Sequence, residues 1–241
     1  MGRFLKYQKK QKKTTSKDFW DKEYKTSTHL ALSMNPSEDL ERFMRWLERE
    51  FGERYMKSLK TVADLGSGNG RNLVYLARDF GMTGVGFDIS TQAVAQAKKE
   101  SEDLPITYSV QSIAKPLPLE NESQGIVLDM MTSHFLNLAE RKALLAEVSR
   151  VLRPDGWYFF KTFLLDEDKR AERLLQESPA AEKGSYIHPK IGVAEHVFTE
   201  DEIRELFEDQ FYIHKIHKSH RHLAHGQAAK RRSISVYAQK K

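Results

Sequence analysis

The sequence predicts a three-layer α/β fold built on a mostly parallel sheet. Short runs rich in β-branched and aromatic residues alternate with helical patterns through the middle of the chain, and a glycine-rich turn joins the first run directly to a helix. Such alternation favours parallel strands joined by right-handed crossovers. The last two apolar runs have no helix between them, which predicts an antiparallel pair at the end of the chain.

The helices are predicted from apolar residues that recur at the helical period. In DLERFMRWLEREF one face carries Leu40, Phe43, Met44, Leu47 and Phe51. The next helix follows the glycine-rich turn and ends at Gly81, and Ser90 is placed to cap the helix after it. RPDG stops a helix over ERKALLAEVSRVL, and Thr199 with Glu202 predicts a capping box at the start of EDEIRELF.

The strands are predicted in short β-rich runs bounded by turn residues. Five of them alternate with the helices: TVADL, TGVGFD, ITYSV, GIVLDMM and GWYFFKTF. The terminal pair is FYIHKIHKS and RSISVYAQK. Strand alternation predicts that His214 and His217 point to opposite faces. Because no carboxylate lies within the histidine-rich run from His214 to His225, we predict no metal site there.

Composition narrows the class of protein. The 241 residues, 39% of them hydrophobic, can bury one substantial core, and the absence of cysteine excludes a disulfide framework, a thiolate nucleophile and cysteine-ligated zinc. No apolar run is long enough for a secretory signal or a membrane span. We therefore expect a cytoplasmic protein without a membrane partner, as a monomer or a homodimer.

The basic residues are concentrated at the two ends of the chain. Residues 1–17 contain seven Lys and Arg and residues 210–241 contain eight, with no acid in either segment, so the remaining 24 bases face all 34 acids. Cationic ends on an acidic body favour an anionic partner, such as RNA or a small anionic molecule, although lysine-rich segments also promote solubility. For residues 1–17 we predict a basic, disordered tail.

The stretch DLGSGNG predicts a ligand site where the first strand meets its helix. Ligands of parallel sheets bind beyond the carboxyl ends of the strands, and Gly66, Gly68 and Gly70 permit close approach to the backbone and to the free amides of the helix. Asp64 would repel a pyrophosphate, so it favours a ligand with an ammonium or sulfonium group. Asp88 ends the second strand and is placed to accept both hydroxyls of a ribose.

Taken in order, DLGSGNG, GFDIS, GIVLDMMTSHFL and VSRVLRPDGWYFF resemble the motifs of class I S-adenosylmethionine-dependent methyltransferases, over about residues 40–240. The resemblance implies a Rossmann-like, seven-stranded sheet of order 3-2-1-4-5-7-6 with an antiparallel terminal strand, and S-adenosyl-L-methionine as cofactor. Residues 18–60 would form an N-terminal helical lid region. Residues 61–241 would form the cofactor-binding domain, with an acceptor-side insertion at 165–198.

The same resemblance assigns cofactor-binding residues. They are Asp64, Gly66, Ser67, Gly68, Gly70, Asp88, Ile89, Ser112, Ile113, Asp129 and Met130. In this assignment Asp88 holds the ribose, Ile89 packs on the adenine, and Asp129 with Met130 faces the methionine moiety. Where many members place an aspartate against the adenine amine, this chain has Ser112 and Ile113, so a backbone group or the Ser112 hydroxyl would replace it.

Candidate catalytic residues lie on the acceptor side. His134, His188 and Glu195 are candidate general bases and Tyr186 is a candidate orienting group, although His134 could instead be a helix-start residue with a satisfied ring. The stretch DFWDKEYK, with Trp20 and Tyr24, resembles the N-terminal lid of the family. Alternatively, it packs two aromatic rings on the sheet edge.

Three functional classes remain open from the sequence. The first is a methyltransferase acting by direct displacement on a small-molecule acceptor, expected to be anionic because the basic hairpin from Lys215 to Arg232 lies at the acceptor end. The second is an RNA or protein methyltransferase that uses the basic ends. The third is a non-catalytic cofactor-binding protein, because the sequence identifies no acceptor-side residue as certainly catalytic.

Overall fold

The computed structural model describes residues 16–27, 32–219, 223–224, 227–228 and 231–241. Its helices are α1 (Ser16–Thr26), α2 (Glu38–Met56), α3 (Arg71–Phe80), α4 (Thr91–Glu100), α5 (Leu138–Val151), α6 (Lys169–Glu177) and α7 (Glu200–Phe207), with a 3-10 turn, η1, at Ser133–Phe135. Except for Ser16 and Lys17, the predicted basic tail lies outside the described residues.

The strands follow the order of the predicted runs, with four short additions. They are β1 (Thr61–Leu65), β2 (Thr83–Asp88), β3 (Ile106–Val110), β4 (Gln124–Met130), β5 (Leu152–Phe163), β6 (Ser185–Ile187), β7 (Ala194–His196), β8 (Phe211–Lys218), β9 (Leu223–Ala224), β10 (Gln227–Ala228) and β11 (Ser233–Lys240). β6 pairs with β7 and β9 with β10, each antiparallel and outside the main sheet.

The main sheet has seven strands in the order β3-β2-β1-β4-β5-β11-β8. The first five are parallel, and β11 runs antiparallel to both of its neighbours, β5 and β8. The predicted fold is therefore confirmed, including the antiparallel terminal pair. Because the chain returns from β3 to place β4 beside β1, the sheet has a switch point there, and a crevice opens beyond the carboxyl ends of these strands.

Helices cover both faces of the sheet, and each face has its own core. One core joins the sheet to α5 and α7 through side chains such as Leu144, Val148 and Phe207. The other joins it to α2, α3 and α4 through side chains such as Phe43 and Leu73. These two rigid layers leave the strand ends as the place where loops from several elements meet.

Two predicted helix details differ in the structure. α2 extends to Met56, although Gly52 is non-helical (φ 80°, ψ 168°), and Phe51 beside it remains 38% exposed. At α7, Thr199 caps the amide of Glu202, but the predicted reciprocal bond of a capping box does not form. The Glu202 carboxylate instead lies 2.8 Å from Nε2 of His196, so a tertiary contact replaces the local one.

The prediction that His214 and His217 point to opposite faces was wrong. The β8–β11 register skips His214, so the strand contains one extra residue at this point. This bulge turns both histidines towards α2, where His214 packs on Trp46 and His217 contacts Arg42. Within the described part of the chain no three potential ligands come together to hold a metal ion; His220, His222 and His225 lie outside the described residues.

Candidate functional site

A cavity of about 910 Å³ opens at the carboxyl ends of the central strands. It extends from the glycine-rich turn after β1, past the end of β4, to the insertion that follows β5. Ligand pockets commonly have volumes of about 300–1,000 Å³. The cavity is therefore large enough for a nucleoside-sized ligand together with a second small molecule.

The glycine-rich turn forms one wall of this cavity. The amides of Gly66 and Ser67 donate to the carbonyl of Phe87, which fixes the turn against β2. Gly66 has φ +79°, and a Cβ added there would lie 2.2 Å from the Thr132 hydroxyl oxygen. The turn after β1 and the loop after β4 thus touch, and only glycine fits at the contact.

Asp88 lies beside this turn and lines the cavity. Its two carboxylate oxygens accept the amides of Gly68 (2.9 Å) and Ser90 (2.8 Å). Each carboxylate oxygen has a further lone pair, so both retain capacity for a ligand hydroxyl. Ile89, Ser112 and Ile113 line the same part of the cavity, although the Ser112 hydroxyl already accepts from the amide of Ala114.

Two predicted acids lie behind the wall rather than in it. Asp64 is 1% exposed, and its Oδ2 has no hydrogen-bond partner among the described residues. Burial, reinforced by the neighbouring Asp88, raises the pKa of Asp64 to about 7. Asp129 is fully buried and accepts from the amide of Ser133 and the hydroxyl of Tyr158, so it holds η1 in place.

The buried carboxyl of Asp64 should make the stability of the ligand-free protein depend on pH. Its pKa is about 7 in the folded state, above the usual value of about 3.9 in an unfolded chain. Between these values the folded state holds a proton that the unfolded state has lost, so stability should fall as pH rises and level off above about 7. Melting temperatures from pH 5 to 8 should show a shallower fall in Asp64→Asn than in wild type.

The exposed Asp79, on α3, provides the matched control for that experiment. Asp79→Asn should keep the wild-type dependence of melting temperature on pH. Identical curves for Asp64→Asn and wild type would contradict the assignment.

The helix α1 covers the cofactor end of the cavity. Its Asp21 accepts from the Ser90 hydroxyl (2.8 Å) and the amide of Gln92, and the carbonyl of Tyr24 accepts from Gln96. A Cβ added at Gly68 would lie 2.4 Å from the Tyr24 hydroxyl oxygen, so the Tyr24 ring closes directly on the glycine turn. That α1 acts as a lid stays a prediction.

A second cover is formed by residues 32–37. Asn69 donates to the carbonyl of Ser33, and Asn72 accepts from the amide of Ser37, each at 3.2 Å. Asn69 lies between Gly68 and Gly70, Asn72 follows two residues after Gly70, and both line the cavity. The stretch GNGRN therefore supplies the side chains that hold this cover over the turn.

At the acceptor side, His134 lies in η1 at the end of β4. It lines the cavity, is 2% exposed, and packs on Phe135 and Phe163 with ring centroids 4.1 and 5.3 Å away. Its Nδ1 has no partner among the described residues, so the ring is not fully satisfied. Burial lowers the pKa of His134 to about 4, and the imidazole is neutral near pH 7.

The insertion contributes a buried charge cluster. Glu195 accepts from the Tyr186 hydroxyl (2.6 Å) and from Nη1 of Arg231. The Arg231 guanidinium lies 3.6 Å from the centroid of the Phe163 ring. Although burial opposes ionisation, Arg231 and the Tyr186 hydroxyl hold the pKa of Glu195 below its usual value. The ion pair between Glu195 and Arg231 thus connects β7 to the segment that directly precedes β11 in the chain.

His188 lies in the turn between β6 and β7. Its Nδ1 accepts from the amides of Lys190 and Ile191, each at 3.3 Å. In a neutral ring the other nitrogen, Nε2, therefore carries the proton. Burial lowers the pKa of His188, which favours this neutral form.

The structure brings most of the predicted site residues to one cavity. Those that line it are Gly66, Ser67, Gly68, Asp88, Ile89, Ser112, Ile113, Met130, His134, His188 and Glu195. Asp64, Gly70, Asp129 and Tyr186 lie outside its lining. The individual roles of all the predicted site residues stay predictions.

Several residues that line the cavity were not predicted from the sequence as members of the site. They include Asn69, Asn72, Lys161 and Arg170. Lys161 offered a signal, because it is a lone charge in the aromatic run GWYFFKTF, and it pairs with Asp39 of α2. Arg170 offered none, since its position depends on how the insertion folds back.

Comparison with known proteins adds independent information. Residues 62–156 match the family model for a methyltransferase domain. The chain is 26% identical over 138 residues to a fatty-acid O-methyltransferase of Mycolicibacterium smegmatis, covering 57% of this chain and 49% of that protein. It is 34% identical over 100 residues to a phthiotriol/phenolphthiotriol dimycocerosates methyltransferase of Mycobacterium tuberculosis, covering 41% and 36%.

A solved structure also resembles this fold. The S-adenosylmethionine-dependent methyltransferase from Methanosarcina mazei superposes with a TM-score of 0.64 at 22% identity, covering 75% of this chain and 92% of that one. At 22% identity, this similarity shows that the two proteins share a fold and nothing more. The chain spans about half or less of the length of the curated relatives that it matches. Among the described residues no helix has the length and apolar character needed to span a membrane.

Proposed function

We propose that this chain is a class I S-adenosylmethionine-dependent methyltransferase, which its match to a methyltransferase-domain model over residues 62–156 supports. It would transfer a methyl group from S-adenosyl-L-methionine to a small, anionic acceptor by direct displacement. The observation that supports this most is the single cavity that joins the glycine turn to the insertion. Its cofactor end and acceptor end meet at Met130 and His134, where β4 ends. The cytoplasmic location stays a prediction.

The residues at the cofactor end fit S-adenosyl-L-methionine. Asp88 has spare acceptor capacity for ribose hydroxyls, and Ile89 with Ile113 supplies apolar surface for the adenine. Buried Asp64, with one unpartnered oxygen, favours a cationic ligand in front of the turn. When bound, the cofactor supplies a methyl group already activated by a positively charged sulfur.

The protein's contribution to such a transfer is alignment. α1 and the cover at residues 32–37 close the cofactor end, while Trp20 packs edge-on against Phe135 at 5.4 Å and so links the lid to the acceptor end. Holding two reactants in an attack geometry supplies much of the rate enhancement of a displacement. The covers also exclude water, which strengthens the electrostatic interactions inside the cavity.

The acceptor end supports a small molecule more than a nucleic acid. Of the basic residues near the end of the chain, Arg231 pairs with Glu195, Arg232 with Glu167, and Lys218 with Glu200. These positive charges are therefore largely neutralised by ion pairs within the protein. Lys230 and residues 1–15 lie outside the described residues. Because these basic residues are not accounted for by ion pairs, RNA remains the alternative acceptor.

We expect no salt-sensitive RNA binding by the folded domain. If RNA phosphates were contacted, the logarithm of affinity would fall with the logarithm of salt concentration by roughly 0.7 per contact. Binding of mixed cellular RNA should be measured at several salt concentrations for wild type, a chain lacking residues 1–17, and Lys215→Ala/Lys230→Ala. Arg231 and Arg232 are left unchanged because they pair with acids. A steep affinity that these changes abolish would favour an RNA acceptor instead.

Transfer itself is tested with tritium-labelled S-adenosyl-L-methionine in fractionated cell extract. We expect the label in small molecules that survive both ribonuclease and protease. Label lost with ribonuclease would indicate RNA, and label lost with protease would indicate protein. Cofactor binding in calorimetry without transfer to any fraction would indicate a non-catalytic cofactor-binding protein.

A further inference from the structure

Of the three candidate general bases at the acceptor end, His188 and Glu195 are poorly placed to remove a proton, and the candidate orienting group Tyr186 is no better placed. Nδ1 of His188 is occupied by two backbone amides. The carboxylate oxygen Oε1 of Glu195 accepts from both Tyr186 and Arg231. The Tyr186 hydroxyl donates to Glu195 and, because it is buried, has a raised pKa. The geometry therefore leaves no well-placed general base among them except His134.

His134 is a weak base in this setting. Its imidazole is enclosed by Phe135 and Phe163, and the charged groups near it are Glu195, Arg231 and Arg141, with His196 also close. Burial and these cations outweigh Glu195 and disfavour the protonated ring. An alcohol or an ammonium acceptor would need a stronger base at this point.

Hydrogen-bond donors and cations, by contrast, are plentiful at the same end. Among the described residues, Nε2–H of neutral His188 has no hydrogen-bond acceptor, and Arg170 and Lys190 line the cavity without an ion-pair partner. Both cations are close enough to His188 to disfavour its protonation. Glu140 also lines the cavity, but its carboxylate accepts from the amide of Asn137 at the start of α5. This end is therefore built to receive an anion.

The rest of the acceptor wall is apolar. Apart from the mutually paired Glu195 and Arg231 and from Lys161, which pairs with Asp39, it includes Trp20, Phe135, Leu136, Phe163 and Ile191. A ligand that fits both features has an apolar or aromatic body and one anionic group. Arginine in particular matches the two oxygens of a carboxylate.

We propose that the acceptor is a small apolar carboxylic acid, bound as its carboxylate, and that a carboxylate oxygen is the methylated atom. This inference rests on the proposed methyltransferase function. The oxygen lone pair forms the new bond to the methyl carbon, the carbon–sulfur bond breaks, and its electron pair stays on sulfur. The products are a methyl ester and a neutral thioether. No proton moves, because a carboxylic acid is already ionised at neutral pH, so the lack of a strong base is no obstacle.

The decisive experiment uses the lability of methyl esters. Small-molecule product labelled with tritium by the full-length protein is treated with mild alkali, and we expect the label to become volatile as methanol. Alkali-stable label, as in an ether or a methylated amine, overturns the carboxylate inference while leaving methyl transfer intact. If no label is transferred and the cofactor is not bound, the proposed function itself fails, and the inference fails with it.

Two further measurements test the residues. At saturating S-adenosyl-L-methionine, the rate with the labelled fraction should be flat from about pH 6 to 9, whereas an acceptor that must lose a proton would give a rate that rises with pH. Arg170→Gln/Lys190→Gln should raise KM for the acceptor at least about tenfold, with a smaller change in kcat and unchanged cofactor affinity. Arg173→Gln is the matched control, because Arg173 lies on the same helix, α6, but is not among the residues that line the cavity and pairs with Glu177. An unchanged KM in the double variant overturns the assignment of this anion site.

Discussion

Asp88→Ala is expected to weaken binding of both S-adenosyl-L-methionine and its demethylated product by on the order of 30-fold to 1000-fold. Asp88 ends β2, lines the cavity, and has spare lone pairs on both oxygens for the two ribose hydroxyls. The loss of two charge-assisted bonds should cost about 2–4 kcal/mol. Both ligands carry the same ribose, so both should weaken alike.

Calorimetric titration measures this effect, and two variants sharpen it. Asp79→Ala removes an exposed carboxylate from α3 and should leave affinity unchanged. Asp88→Asn keeps one acceptor oxygen without the charge and should fall between wild type and Asp88→Ala. Because Asp88 also accepts the amides of Gly68 and Ser90, a melting curve must accompany each titration. Wild-type affinity in a folded Asp88→Ala would refute the ribose assignment.

The sequence could place these residues at the same end of the sheet because the signals that locate them are local. Gly66, Gly68 and Asp88 each lie at the carboxyl end of a strand, and parallel strands bring such ends together whatever the intervening helices do. Ser90 is a cap that acts within its own helix, accepting from the amide of Ala93. Interactions that close within a few residues, or that follow from strand order, can be read without knowing the tertiary structure.

The acceptor end was less predictable because its contacts span long stretches of chain. Arg231 reaches Glu195 and Phe163, and Lys161 reaches Asp39 of α2. No periodicity encodes such pairs. The bulge at His214 shows the same limit, since a single extra residue in β8 reverses the predicted direction of the next side chains. Likewise, the Glu202 carboxylate contacts the buried His196 ring instead of completing the capping box with Thr199.

Gly66→Ala is expected to have the second large effect, on stability and on cofactor binding together. A Cβ at this position would lie 2.2 Å from Oγ1, 2.4 Å from Cγ2 and 2.8 Å from Cβ of Thr132, and the backbone has φ +79°. The conformational penalty is about 1 kcal/mol, and overpacking adds about 1–3 kcal/mol. Since single domains are stable by about 5–15 kcal/mol, the loss is a substantial fraction. Displacement of the turn should also lower cofactor affinity at least about tenfold.

The variant Gly81→Ala separates the conformational penalty of a positive φ from the cost of overpacking. Gly81 also has a positive φ, +64°, at the end of α3, but a Cβ there would meet nothing within 4 Å. It should therefore show the conformational penalty alone in urea denaturation and bind the cofactor normally. Gly66→Ala/Thr132→Gly removes all three clashing atoms and should recover the overpacking part, a coupling that independent sites would not show. If Gly66→Ala were no worse than Gly81→Ala, the close contact between the turn after β1 and the loop after β4 would not exist in solution. In that case the contact between Gly66 and Thr132 would not hold the two loops in the arrangement that aligns the methyl donor with the acceptor.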